Sequence, residues 1–214
     1  MSNYLSFLRE VRDRFYEVGA VWPSSQSLGQ AMVAQLNRPY GPMHLLEVGA
    51  GTGAITVQLA ALLQPGDCLD VIEINSRLAQ DCRLRLQRAG LLDQPGITIR
   101  LINADLLTHN YDTRYDNIVS TVPLTVFPAA KTRAMLQLLT EQLKPGGAFS
   151  YVKYIFWYRV NRLFAGAQKA EQITGALSVI KEFNDKFEFR DRVVMMNMPP
   201  AYVNTLRRPL PSSG

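Results

Sequence analysis

Glu47, Gly49, Gly51 and Gly53, in the stretch LLEVGAGTG at 45–53, have types and spacing suited to holding a ligand. An apolar run that ends in an acid and then in alternate glycines suits a buried parallel strand turning sharply into a helix. The glycines clear side chains from a surface that a ligand approaches, and they tolerate dihedrals that other residues resist. The chemistry implied is a cradle for an adenosine-containing cofactor. Glu73, in VIEIN, lies 20 residues past Gly53, where a carboxylate can accept both ribose hydroxyls. Asp105, in NADLL, ends the following apolar run and can accept from the exocyclic amine of adenine. Ile74, Ala104 and Leu106 flank these acids and complete the expected adenosine pocket.

Three acids converge on one crevice only if the strands carrying them lie parallel and side by side, with the ligand outside their carboxyl ends. The chain supplies that rhythm. Short apolar runs at 44–49, 69–74, 97–102, 116–122 and 147–155 read as strands. The stretches 53–64, 76–90 and 129–143 between them read as helices closed by Pro65-Gly66, Gly90 and Pro145-Gly146. Alternation of this kind means a parallel sheet with helices on both faces. A further helix at 161–182 precedes two strands at 186–197 and 201–208, joined at Pro199-Pro200 as an antiparallel terminal hairpin. The expected fold is α/β, Rossmann-like and seven-stranded, a sheet unlike a dehydrogenase half-sheet. Ahead of it, Asn3–Val18 is amphipathic, with Phe7, Leu8, Val11, Phe15 and Val18 on one face, and a second helix runs from Ser24 or Ser25 to about Asn37. The expected division is a helical segment at 1–40, the sheet domain at 41–208 and a flexible tail at 209–214.

Composition sets the outer bounds. The chain is 47% hydrophobic and 19% charged, which excludes a disordered or fibrous protein. No apolar stretch approaches the roughly 20 residues of a membrane-spanning helix. Charges at Arg9, Glu10, Arg12, Asp13, Arg14 and Glu17 argue against a signal peptide, so the expected location is the cytoplasm. Cys68 and Cys82 fall in different elements and read as reduced thiols, and no metal spacing exists. A net charge of +5 suits an anionic partner, nucleic acid or membrane, without choosing between them.

Gly49, Gly51 and Ala54 also satisfy G-x-G-x-x-G/A, so a dinucleotide competes for the turn. Glu47 decides against it: an acid two residues before the first glycine can hold an amino group, which a dinucleotide lacks there. With Gly53 the pattern becomes E-x-G-x-G-x-G, the form found in S-adenosylmethionine (SAM) sites of class I methyltransferases. Ser120-Thr121-Val122-Pro123-Leu124 follows the fourth strand. The equivalent loop of amino-methylating enzymes reads N/D-P-P-Y or N-L-P-Y and aims acceptors at the target nitrogen. Thr121 stands in the position of the usual Asn and is the candidate catalytic residue, and Ser120 beside it is a candidate cofactor-binding residue. Leu124 replaces the aromatic on which a flat base would stack, which favours an aliphatic amine.

The chain resembles the bacterial phospholipid N-methyltransferases, which methylate phosphatidylethanolamine towards phosphatidylcholine, and a sister branch acting on ornithine lipids. The matching stretches are VGAVWPSS at 18–25, LEVGAGTGAIT at 46–56, the loop at 120–124 with Phe127-Pro128, LKPGG at 143–147 and NMPPAYV at 197–203. The resemblance implies a SAM-dependent class I methyltransferase whose substrate is a membrane lipid bearing a primary amine. It also implies that the helix at 3–18 lies on an anionic membrane surface and covers the site, in a protein held peripherally at the cytoplasmic membrane. That helix can equally pack on the domain. The segment 151–164, with six aromatic and three basic residues in 14 positions, departs from the family pattern and reads as a core strand running into a helix or as a lipid interface. Tyr16, Tyr111, His109 and Asp112 are candidate bases by type, and Trp22 and Phe127 could form an aromatic wall for a methylated ammonium. Nucleic acid is not the expected partner. An rRNA or other adenine N-methyltransferase and a non-catalytic SAM- or lipid-binding protein remain as alternatives.

Overall fold

Seven strands make one mixed sheet in the computed structural model, which describes residues 26–38, 40–154, 167–196 and 200–210. The expected helix at 3–18, the VGAVWPSS stretch and the last four residues of the expected tail lie outside the described residues. The strands are β1 (His44–Val48), β2 (Cys68–Ile72), β3 (Thr98–Ile102), β4 (Tyr115–Ser120), β5 (Leu143–Tyr154), β6 (Glu188–Val194) and β7 (Ala201–Arg207), in the spatial order β3-β2-β1-β4-β5-β7-β6. The first five run parallel, and β7 inserts antiparallel between β5 and β6. This is the Rossmann-like sheet with a terminal hairpin that the sequence implies. Strand order reverses between β1 and β4, so a crevice opens at that switch point beyond the strand ends.

Alternation along each strand feeds two cores. Leu45, Leu69, Val71, Val119, Val152 and Val203 face helices α1 (Gln26–Val33), α2 (Thr56–Ala60) and α3 (Ser76–Arg88). Leu46, Val48, Ile72, Ile118, Phe149 and Tyr151 face α4 (Ala129–Glu141) and α5 (Ala167–Lys186). Each fully buried Leu or Phe contributes roughly 1.5–3 kcal/mol of transfer free energy. Burial on both faces also explains why β1, β2 and β4 read as apolar runs rather than alternating ones. Asn75 caps α3 by accepting the N–H groups of Arg77 and Leu78, and Arg85 and Arg88 oppose the dipole at its other end. Cys68 and Cys82 are free thiols.

Two elements differ from the sequence reading. LKPGG begins β5 instead of forming a loop before it: Tyr115 pairs with Leu143, but Asn117 pairs with Ala148, so the extra residues bulge. Gly147 permits that bulge, because a Cβ there would stand 2.9 Å from the Lys144 carbonyl oxygen. Helix α1 stops at Val33 rather than near Asn37. The Asn37 backbone is engaged elsewhere: its N–H donates to Asn117 Oδ1 and its carbonyl accepts from Asn117 Nδ2, both at 2.7 Å. Helices α2, α3 and α4 end earlier than the apolar periodicity suggests, whereas α5, described from Ala167, runs past the expected 182 to Lys186, so that β6 starts at Glu188 rather than at 186.

Buried acids also tie the sheet to the segments around it. Asp70 lies in the β2 core, takes both Arg100 Nε (2.5 Å) and Nη2 (2.6 Å), and accepts from the Tyr115 hydroxyl at 2.8 Å. Asp67 accepts from the Met43 and Gln64 N–H groups, each at 2.8 Å, and pairs with Arg38 at 2.6 Å. Burial alone would raise the Asp67 carboxyl, but Arg38 and those two N–H groups outweigh it and hold it below the usual carboxylate range. A depressed folded value means that Asp67 stabilises the fold at neutral pH and loses that contribution as pH falls through its folded value. The Asn37–Asn117 pair is the most specific of these ties, since it fixes where the segment before β1 crosses β4. Asn117→Ala should cost about 1–2 kcal/mol in urea denaturation, with the slope of the transition unchanged. A wild-type midpoint would show that the pair contributes nothing net.

Candidate functional site

The turn after β1 is built by three glycines that serve different ends. Gly49, Gly51 and Gly53 have φ of 78°, 57° and 81°, conformations that favour glycine. A Cβ on Gly49 would lie 2.8 Å from Val122 Cγ2, and one on Gly53 would lie 2.8 Å from Cys82 Sγ and 3.1 Å from its Cα. These two therefore let the β4 loop and helix α3 close on the turn. A Cβ on Gly51 would meet nothing within 4 Å. Its bare face is the open floor of the crevice, a cradle for a ligand pressed against the backbone.

The acids predicted for the cofactor stand at or just past the ends of β1, β2 and β3. Glu73 lies just past β2, buried, with one oxygen accepting from the Gly51 N–H and the other from the Asn75 N–H, both at 2.9 Å. Burial raises its carboxyl, and the N–H groups of Asn75, Gly51 and Ile74 oppose that. Each oxygen keeps lone pairs for ribose hydroxyls, so Glu73 has a second task that the sequence did not reveal: it shapes the glycine turn. Asp105 Oδ1 accepts from the Leu107 N–H at 3.0 Å and so caps the turn that follows β3. Asn103, which the sequence reading passed over, donates from Nδ2 to the Glu73 carbonyl at 2.8 Å and the Ile74 carbonyl at 3.1 Å. It binds the β2 and β3 loops together; its place in the N-A-D triplet was the available signal. Ala104 and Ile74 are half-buried beside these acids, whereas the Leu106 side chain is buried in the core, leaving only its backbone to face the crevice.

Glu47 is the most unusual member. It is fully buried at the end of β1, and neither carboxylate oxygen has a hydrogen-bond partner. Burial pushes its carboxyl up to about 7; the nearby Thr56 hydroxyl offsets part of that, and the charge of Glu73 adds to it. An orphaned buried carboxyl is costly unless something pairs with it. It fits the amino group of a methionine moiety, as the open floor at Gly51 fits the rest of SAM.

The loop after β4 leans directly on the cradle. The Thr121 hydroxyl donates to the Gly49 carbonyl, and the Thr121 N–H donates to the Val48 carbonyl at 3.1 Å. Ser120 is buried, and its Oγ accepts from the Val122 N–H at 3.3 Å. The short turn Leu124–Val126 is held from outside: Thr132 Oγ1 donates to the Leu124 carbonyl at 2.9 Å, and Gln172 Nε2 donates to the Val126 carbonyl at 2.7 Å. Leu124 (2% exposed) and Phe127 (1%) both point into the core, so neither presents a wall to a substrate. That corrects the expectation for Phe127, whose ring is instead met by the Lys131 ammonium at 5.5 Å. Tyr111 is no base either: its hydroxyl donates to the Leu106 carbonyl at 2.9 Å, and burial, followed by the Asp105 charge, raises its pKa. His109 packs edge-on against Tyr111, and Asp112 is exposed. Tyr16 and Trp22 lie outside the described residues. Among the described residues, no group of three His, Cys, Asp or Glu side chains could hold a metal ion.

Residues 45–147 match the family described as "Methyltransferase domain". An ornithine lipid N-methyltransferase of Singulisphaera acidiphila is 25% identical over 158 residues, spanning 73% of this chain and 81% of that protein. Among solved structures, a SAM-dependent methyltransferase of Methanosarcina mazei aligns with TM-score 0.63 at 18% identity, over 84% of this chain and 97% of the other. The N-methyltransferase NodS of Bradyrhizobium japonicum WM9, in complex with S-adenosyl-L-homocysteine, aligns with TM-score 0.58 at 19% identity, over 86% and 84%. With the family match over 45–147, this sheet order and the glycine turn beside Glu47 and Glu73, the chain carries a SAM-dependent methyltransferase domain of the class I fold.

Proposed function

We propose that the enzyme methylates the primary amine of a membrane-lipid head group, ornithine lipid or phosphatidylethanolamine, at the cytoplasmic face of the membrane. The observation that carries this reading is the loop at 120–124. It offers hydroxyl and carbonyl acceptors but no ring, since Leu124 is buried. An adenine acceptor would lose its stacking partner there. The relative's name, ornithine lipid N-methyltransferase, points the same way. The amphipathic stretch at 3–18 then has a use as a membrane-surface lid.

When bound, SAM supplies an electrophilic methyl group. The residues of the chain hold and orient. Glu47 takes the ammonium of the methionine portion, Glu73 the ribose, and Asp105 the adenine amine. Thr121 commits its proton to Gly49, so towards a substrate its oxygen can only accept. An amine N–H pointed at that oxygen turns its lone pair towards the methyl. A free alkylamine has a pKa near 10.4, about that of lysine, so it must shed a proton first. Partial desolvation in the crevice lowers that cost.

Three outcomes are expected. With radiolabelled SAM, label should pass to vesicles containing ornithine lipid or phosphatidylethanolamine and not to stripped RNA; label in RNA alone would overturn the lipid reading. Thr121→Val should lower kcat by about tenfold to a hundredfold with smaller change in SAM affinity, and Thr121→Ser should restore most of it. A Val variant with wild-type kcat would remove Thr121 from the chemistry. The third is a pH effect. Because Glu47 is raised to about 7, an incoming ammonium must displace its proton at lower pH. Calorimetry with S-adenosylhomocysteine should show affinity rising between about pH 5.5 and 7, roughly tenfold per unit well below 7, with proton release. In the ligand-free protein the sign reverses: a raised folded value means stability falls as pH climbs through that window. Glu47→Gln should flatten both profiles and weaken binding; an unchanged pH slope would place the titrating group elsewhere.

A further inference from the structure

The hairpin between β6 and β7 exposes apolar surface that the catalytic site does not use. Met195 is 69% exposed, Met196 83% and Val193 46%. Side chains of this kind are ordinarily withdrawn from water, and here they gather at one tip. Register fixes where the tip stands. Val48, Ser120 and Tyr151 are paired neighbours at one level of the sheet, which is the level of the crevice. Strand β5 continues three residues further, to Tyr154, which pairs with Ala201, and Ala201 pairs in turn with Val194. The tip therefore projects about 10 Å beyond Ser120, at 3.3 Å per residue, on the same side of the sheet as the glycine turn.

Its charge has one sign. Residues 192–202 contain no acid, and Arg192 is exposed at the base of the tip. The Lys153 ammonium lies 5.2 Å from the centroid of the Tyr202 ring, and the Asp191 carboxylate faces it. Apolar side chains at a tip, a tyrosine and cations behind them make the ordered set that a bilayer interface selects: acyl chains, then head groups, then anionic charge.

We propose that the Val193–Met196 tip, backed by Arg192, inserts into an anionic lipid surface and seats the mouth of the crevice against it. This deepens the lipid-amine reading and rests on it, because it explains how a head group anchored in a bilayer reaches a site recessed behind the tip. The test uses the full chain and vesicles of phosphatidylethanolamine with phosphatidylglycerol, compared with phosphatidylcholine alone. Met195→Glu with Met196→Glu should lower co-sedimentation with the anionic vesicles by about tenfold or more. S-adenosylhomocysteine binding and thermal unfolding should stay at wild type, since both side chains are exposed. Arg192→Glu should remove the preference for anionic over zwitterionic vesicles. Wild-type co-sedimentation by the double Glu variant would overturn the proposal, as would a wild-type dimer in analytical ultracentrifugation that the same variant dissolves. Methyl transfer to a detergent-dispersed aminolipid separates the two claims. A wild type that binds vesicles through the tip yet methylates no dispersed aminolipid refutes the acceptor and leaves the surface standing.

Discussion

The Gly49 peptide is the point on which the site depends. Its N–H donates to the Ile72 carbonyl at the end of β2, at 2.8 Å, and its carbonyl accepts from Thr121 beyond β4. The backbone of one residue thus ties three strand ends together across the switch point. The positive φ at Gly49 aims both groups outward, and the absence of a Cβ lets Val122 come close enough for the second bond. The cofactor cradle and the substrate loop are therefore one rigid object. A methyl donor in the cradle and the acceptor proposed for the loop would inherit their spacing from backbone hydrogen bonds rather than from long side chains.

Glu47 shows what that rigidity is set against. Every other buried acid on the sheet has its oxygens met: Asp70 by Arg100 and Tyr115, Asp67 by Arg38 and two N–H groups, Glu73 by two N–H groups. Glu47 alone, among these, is left with two bare oxygens. Burial raises this carboxyl to about 7, so its neutral form, which costs less to bury, is accessible near neutral pH. A partnered Glu47 would make a more stable apo-protein and a poorer binder, the trade expected where a functional group must be available rather than satisfied.

Much of the cradle was legible in the sequence because it is local. Three glycines at alternate positions, an acid just ahead and another 20 residues on are offsets that a single strand–turn–helix–strand unit enforces. The parallel sheet followed from alternation and the terminal hairpin from the reading of the last two strands, whereas the insertion of β7 between β5 and β6 depends on pairings that no local pattern shows. What stayed hidden depends on partners distant in sequence. Asn117 reaches back 80 residues to stop α1 early, and Asn103 reaches back about 30 to brace the Glu73 loop. Neither leaves a periodic trace. LKPGG reads as a break on composition, yet the neighbouring strand β4 recruits it into β5 with a bulge. Phe127 read as a possible wall and is core, because an aromatic's type says nothing of which side of a loop it faces.

Topology also constrains where a large substrate can approach. In a purely parallel sheet, everything beyond the carboxyl ends of the strands is loop, and loops of different lengths give no shared plane. Inserting β7 antiparallel between β5 and β6 changes that: a two-strand tip must then rise on the cofactor side, with its height fixed by the pairing of Tyr154, Ala201 and Val194. A small soluble amine needs no such projection. For an amine anchored at a surface, a rigid post beside the crevice sets how far the head group must be lifted before Thr121 can accept from it. Under the proposed lipid acceptor, the height of that hairpin would set how the head group reaches the crevice.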